Sequence, residues 1–398
     1  MIRILRGGNV FAPEPMGIQD VVVAGERIAA VLPAGTAAFA GVPVEELDIS
    51  GKTLVPGFID SHVHILGGGG EGGPATRAPE IYLEDIVTSG VTTLIGCLGT
   101  DGTTRHMSSL LAKANALDLE GITTFLFTGS YEIPVKTLTG SVKSDLILIH
   151  KVIGAGEIAV SDHRSAQPTF DEFARLAAEC RVGGMLGGKA GVLHCHLGDG
   201  SRRLQHLFRL LRETEIPATQ VIPTHTNRNS ELLDEGIAFV KEGGFIDLTA
   251  DLDPDPSSDG HLSIARSLQR CLDKKIPLSR LTISSDGNGS MPVFDQEGRL
   301  TGLTIATQKS LLANFRFLIE NRVMELPDAL LPLTRNPAVY YKLEQKGEIQ
   351  VGKDADLLVF DRDWALTEVL ARGRVMMAGG DLLARGTFSS AQTKGIQV

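Results

Sequence analysis

Residues 53–64 read TLVPGFIDSHVH, an apolar, β-branched run interrupted by Pro56-Gly57 and ending in His62 and His64. It is the first of eight such runs between Thr53 and Gly289; the others are TTLIGCLG, TTFLFTGS, GEIAVSD, GVLHCHLGD, QVIPTHTN, FIDLTADL and LTISSDGNG. Each is bounded by Gly, Pro, Asp or Asn, and most precede a segment with apolar residues at three- and four-residue intervals. Strands that are apolar throughout, rather than alternating, must be covered on both faces, as in a parallel sheet whose connections are helices. Eight strand and helix units predict an α/β protein built on a (β/α)8 TIM-type barrel. Helices are expected over 104–118, 170–180, 201–214, 230–242 and 304–320.

Outside this stretch the pattern changes. Residues 1–52 contain DVVVAGERIAAV, two β-type runs split by Gly25-Glu26, and the tail contains GEIQVGKDADLLVFDRDWALTEVLARGRVMMAGG. A chain that enters and leaves a barrel can bring its ends together. A small β-sandwich domain formed from both chain ends, 1–52 and 345–398, is therefore expected around a barrel over 53–344.

Composition excludes several classes. Of 398 residues, 42% are hydrophobic and 22% charged, an ordinary balance for a chain with a large core. The net charge of -10 is spread without a Lys/Arg block, so neither nucleic acid nor an anionic membrane surface is an expected partner, and a small molecule is. Cys97, Cys180, Cys195 and Cys271 form no CxxC and suggest no disulfide framework. No apolar run follows the basic residues of the N-terminus and no stretch of about 18 apolar residues occurs, so a cytoplasmic location is expected.

The chemistry starts at Asp60-Ser61-His62-Val63-His64. Residues two apart on a strand face one side, so both imidazoles can address one ion. Ten histidines scattered at random give about 0.25 such pairs, so the motif gains weight only from its setting. His64 falls where a barrel strand meets its loop, His196 closes the fifth strand, His225 the sixth and Asp286 the eighth. Four histidines and one aspartate then converge at the rim where TIM-type barrels keep their active sites. His194, one pleat deeper than His196, reads as a supporting or packing residue. His106, His150, His206 and His261 fall on helical or loop segments and read as structural.

PGFIDSHVH, the single histidines at strands five and six, the Asp at strand eight and GEIQVGKDADLLVFD in the tail resemble the amidohydrolase superfamily over nearly the whole chain. Within it, GGGGEGGPATRAPE, LFTGSYEIP, EIAVSDHRSAQP and PTHTNRN resemble the isoaspartyl (β-aspartyl) dipeptidases. The resemblance implies two divalent metal ions, usually Zn2+, and a homo-oligomer, an octamer in the family. It implies that His62, His64 and Asp286 bind the more buried ion and that His196 and His225 bind the other. Many members bridge the ions with a carboxylated lysine at strand four, but this sequence has Glu157 there, seven residues before Arg164. Glutamate supplies a bridging carboxylate without carbon dioxide, though on a shorter side chain. The alternative is a single-ion site with Glu157 merely hydrogen-bonded. Lys151 precedes the strand and is expected to point elsewhere.

The resemblance also implies an activity, hydrolysis of the isoaspartyl bond of dipeptides. A water between two divalent cations loses its proton near neutral pH, its pKa falling from 15.7 to about 7, and so becomes the attacking hydroxide. Asp286 would act as general base and then as general acid, with Tyr131 donating to the oxyanion. Arg164 and Arg228 would bind carboxylates, Glu71 in the Gly-rich loop would pair with the substrate ammonium, and Ser290 would add a contact. The glycines around Glu71 suggest a pliable, closing loop. Competing readings are another amidohydrolase, acting on a cyclic amide or an N-acyl amino acid, and a non-catalytic scaffold derived from one. The scaffold would have lost metal ligands, and none of the five His/Asp positions is missing.

Overall fold

The computed structural model describes residues 1–255, 262–294 and 300–389. His261 and the last nine residues of the expected C-terminal flank lie outside the described residues.

All eight apolar runs form strands: Phe58–Val63 (β1), Val91–Gly96 (β2), Thr123–Thr128 (β3), Val152–Val160 (β4), Val192–Leu197 (β5), Val221–Thr224 (β6), Ile246–Thr249 (β7) and Leu281–Ser284 (β8). β1 to β6 hydrogen-bond in parallel and in chain order, and β7 pairs with β8 in parallel. Two contacts bring the pair against both edges of the six. Thr226 N, just past β6, donates to Asp247 O on β7 at 3.3 Å, and Val63 on β1 bridges Gly287 just past β8. The result is a TIM-type barrel. Seven of the eight strands are buried at every residue, which is why the runs are apolar rather than alternating.

The opening run does not form one strand. Thr53–Pro56 joins the flanking sheet and only Phe58–Val63 enters the barrel. Gly57 is the corner: a Cβ there would lie 2.1 Å from Thr92 Oγ1, so the approach of the two segments requires glycine. The predicted helices appear as Met107–Glu120, Phe170–Gly187, Gln205–Glu213, Ser230–Lys241 and Lys309–Glu320. The second is the longest because its ends are well signalled. Thr169 and Glu172 form a capping box at its start, and Gly188 ends it at φ 64°. The last begins five residues later than expected because Leu300–Ile305 pairs antiparallel with Ser290–Phe294 as a hairpin beyond β8.

The two flanks meet in one nine-stranded sheet. Thr53–Pro56 lies between Ile2–Phe11, its parallel neighbour, and Leu357–Phe360, its antiparallel one. The expected hairpin turns at Gly25 between Pro15–Ala24 and Arg27–Pro33. Leu5, Val10, Val21, Leu54, Leu357 and Val359 form a buried cluster from both ends of the chain. The barrel is thereby held from one side while the loops after its strands stay available for a site.

Candidate metal centre

Each residue of the expected ring lies at or near the C-terminal end of a barrel strand. His62 is on β1 and His64 one residue past it, Glu157 is on β4, His196 on β5, His225 follows β6 and Asp286 follows β8. His225 and Asp286 hold φ of 61° and 52°. A left-handed backbone on residues other than glycine costs about 1–3 kcal/mol each and is maintained only where neighbours over-determine it. Here His225 Nδ1 is tied to Thr249 Oγ1 at 2.7 Å, and Asp286 Oδ1 to His64 Nε2 at 3.0 Å.

Glu157 sits in the middle. Its carboxylate oxygens lie 2.9 Å from His62 Nε2, 3.6 Å from His64 Nε2, 3.3 Å from His196 Nδ1 and 3.6 Å from His225 Nε2. Donor atoms of His62, His225 and Asp286 fall within 4.8 Å of one another, as do those of Glu157, His196 and His225. The structure thus brings together all six residues read as ligands, and Lys151 points away, bonded to Asp118 and Thr124 at 2.7 and 2.8 Å.

The donor set fits cations for a second reason. His62 Nε2 and His225 Nε2 are buried and find no aligned hydrogen-bond partner among the described residues. Buried polar atoms left this way are costly, and lone pairs aimed at a shared point are what a divalent ion needs. Charge tells the same story. Burial opposes charging of His62 and His64, yet Glu157 and Cys97 on the first, and Cys97 and Asp286 on the second, hold both well above the ordinary imidazole range. Glu157, also against burial, is held well below the carboxylate range by His62 and His196. The negative field that favours a proton on these imidazoles would equally favour a cation between them. His225 differs: burial outweighs Glu157 and lowers it to about 3.

The floor of the site is polar although sealed. Asp247 on β7 accepts from Thr224, Thr282 and Ser284 at 2.7, 2.6 and 2.6 Å, and Thr224 Oγ1 meets His62 Nδ1 at 3.4 Å. With its hydroxyl hydrogen given to Asp247, Thr224 can only accept from Nδ1–H, which leaves Nε2 as the lone-pair nitrogen of His62. His194 stacks on Phe127 at 4.7 Å and meets His62 edge-on at 4.9 Å, so it packs beneath the ring. His206, on the helix Gln205–Glu213, contacts the backbone carbonyl of Pro168, and His106 and His150 flank helices.

The other expected residues line the rim. Tyr131 OH is 3.0 Å from His196 Nδ1, and burial, then Glu157, pushes this phenol well above its usual range, so it stays a donor. Glu71 accepts from Thr100 at 2.7 Å and Ser290 at 3.1 Å and lies 3.4 Å from Arg164 Nη1. Arg228 donates to Leu197 O at 3.1 Å, which aims it from the β6 loop across the end of β5. The glycine loop carrying Glu71 is less free than its composition suggests. Buried Arg105 donates to the carbonyls of Leu66, Gly68, Gly69 and Ala78, and a Cβ at Gly67 would come within 2.2 Å of Ala78 O. Its base is braced and only its tip is exposed.

Three residues escaped the sequence reading. Asp162 bonds His196 and Arg164; it stands in SDHR two residues before Arg164, but a loop aspartate carries no signal of its own. Cys97, 3.7 Å from His64 Nδ1, sits at the end of β2, the same level as the ligands. Asp247, an acid in the apolar run FIDLTADL, could have been noticed as a buried carboxylate needing donors.

This barrel, with its ring of imidazoles and carboxylates at the C-terminal rim, defines an amidohydrolase, and the amidohydrolase family model matches residues 264–381. The β-aspartyl dipeptidase of Fervidobacterium islandicum AW-1, crystallised with a β-Asp-Leu dipeptide, is 42% identical, with 96% of this chain and 97% of that one covered and a TM-score of 0.90. The chain belongs to the β-aspartyl dipeptidase family of amidohydrolases. The dihydropyrimidinase of Brevibacillus agri NCHU1002 shares the fold, at 16% identity over 97% of each chain and a TM-score of 0.66. The adenine deaminase of Klebsiella pneumoniae (MGH 78578) is 26% identical over 92% of this chain and 53% of its own length. The chain spans about half the length, or less, of the curated relatives it matches. No helix among the described residues is long and apolar enough to cross a membrane.

Proposed function

We propose that the protein is a metal-dependent dipeptidase that hydrolyses the β-aspartyl (isoaspartyl) bond of dipeptides. The observation that carries this reading is the convergence of Glu71, Ser290 and Arg164 beside the ring of six ligands, in a chain 42% identical to a dipeptidase crystallised with β-Asp-Leu. One acid, one hydroxyl and one guanidinium complement the ammonium and carboxylate of a free β-linked aspartyl residue, whereas a cyclic amide offers no such pair of charges.

In this reading His62, His64 and Asp286 would hold one divalent cation, His196 and His225 the other, and Glu157 would stand between them as the shared carboxylate. The ions, zinc by preference, would supply Lewis acidity toward a water and the amide carbonyl. Asp286, held well below the carboxylate range against burial by His64 and His62, starts ionised, takes the proton of the attacking water and returns it to the leaving amine. Tyr131 donates to the oxygen of the tetrahedral adduct. Arg164 and Arg228 fix the substrate carboxylates, Glu71 the ammonium, and Ser290 assists it. The same proposal takes in a cytoplasmic homo-oligomer, an octamer by family, with the flanks 1–52 and 345–398, joined by the strand Thr53–Pro56, packed as a small sandwich beside the barrel.

The test combines zinc analysis of the purified protein with hydrolysis of β-Asp-Leu and of α-Asp-Leu. Two zinc equivalents and cleavage of the β-linked peptide alone are expected. Equal cleavage of both, or turnover of a hydantoin in preference, would refute the assignment.

A further inference from the structure

Asp162 has no part in the reaction above, yet its carboxylate is buried between the two halves of the site. Oδ1 accepts from the backbone N of Arg164 at 2.7 Å and from its Nε at 3.0 Å; Oδ2 accepts from Arg164 Nη2 at 2.7 Å and from His196 Nε2 at 2.9 Å. Arg164 Nη2 and His196 Nε2 are themselves 3.3 Å apart. An ionised carboxylate can only accept, so the 2.9 Å contact with Oδ2 places a hydrogen on His196 Nε2, and Nε2 and Arg164 Nη2 share that acceptor.

We infer that Asp162 is a positioning residue coupling the second cation to substrate-carboxylate recognition. By fixing the proton on His196 Nε2 it leaves Nδ1 as the lone pair, and Nδ1 is the atom that faces Glu157 at 3.3 Å. By engaging Nε and Nη2 of Arg164 it leaves Nη1 directed toward Glu71, into the site. One carboxylate thus sets the tautomer of a metal ligand and the aim of the arginine. Loss of Asp162 lets the His196 proton move to Nδ1, where it blocks the cation, and lets the guanidinium swing. The inference rests on the two-cation dipeptidase reading and deepens it.

Zinc titration and steady-state kinetics on β-Asp-Leu test it. In Asp162→Ala the second zinc is expected to bind about 10–100-fold more weakly, with the first retained. KM for β-Asp-Leu rises about tenfold or more, while kcat at saturating zinc and substrate falls by a smaller factor. Arg164→Met is expected to raise KM with zinc affinities within about threefold of the parent. Asp162→Glu should recover part of both losses. Wild-type affinity for the second zinc in Asp162→Ala overturns the inference, as does an equal loss of zinc in Arg164→Met. Should the alanine variant not fold, Asp162→Asn offers one acceptor to two sets of donors, so zinc affinity or KM must move; if neither does, the inference fails. A parent protein that takes up fewer than two zinc equivalents refutes the two-cation reading itself, a result read independently of any variant.

Discussion

Replacing Glu157 by Gln keeps the size of the central side chain and removes its charge. The carboxylate lies 2.9 to 3.6 Å from four imidazole nitrogens, so any cation held by those nitrogens lies close to it. At an effective dielectric constant of about 20, two unit charges some 3.3 Å apart interact by about 5 kcal/mol, and a divalent ion doubles that. Desolvation and rearrangement of the imidazoles offset most of it. If only 2–3 kcal/mol survives, affinity for the ion falls roughly 30- to 150-fold. The ion assigned to His196 and His225 should be affected most, because it would have no Asp286 to compensate. Dialysis of Glu157→Gln against a zinc buffer followed by elemental analysis should give one equivalent where the parent keeps two, and Glu157→Ala should do the same. Two equivalents held at parental affinity would show that Glu157 is a hydrogen-bonded neighbour rather than a bridge.

Other outcomes follow from the same geometry. Asp286→Asn is expected to retain most of the zinc, since His62 and His64 remain, while kcat on β-Asp-Leu drops about 10²–10⁴-fold; normal turnover would remove Asp286 from proton transfer. Tyr131→Phe should lower kcat about 10²–10³-fold with zinc content unchanged, and a kcat within twofold of the parent would strip Tyr131 of its role. In the flanking sheet, buried Asp20 accepts from Gly7 N, Gly35 N and Arg6 Nη1 at 3.0, 2.9 and 3.0 Å, and these bonds, against burial, hold it below its ordinary 3.8. Its contribution to stability is therefore complete above 3.8 and disappears as pH falls through the lowered value. Asp20→Ala should cost about 1–3 kcal/mol in urea melts at pH 7, from the donors left without an acceptor, with the gap to the parent narrowing below pH 3.8; a constant gap would contradict the linkage.

The barrel was legible because its signals are local. A strand covered on both faces must be apolar at consecutive positions, and LTISS or GVLHCH shows that without reference to any other segment. The level of the candidate ligands was legible for the same reason: His64, His196, His225 and Asp286 each stand where an apolar run gives way to a loop. The run 53–64 shows the limit. Its division at Gly57 depends on Thr92, 35 residues further on, and no local pattern encodes that encounter.

Sequence by itself thus determined the kind of protein, because periodicity and strand-end chemistry are properties of short segments. Tertiary structure alone decided how the groups face one another. That Glu157 stands among four imidazoles, that Thr224 selects a nitrogen of His62, and that Asp162 is shared by His196 and Arg164 are relations between residues distant along the chain. A hydrogen bond depends on tenths of an ångström and on direction, and those are set only when the ring of strands closes.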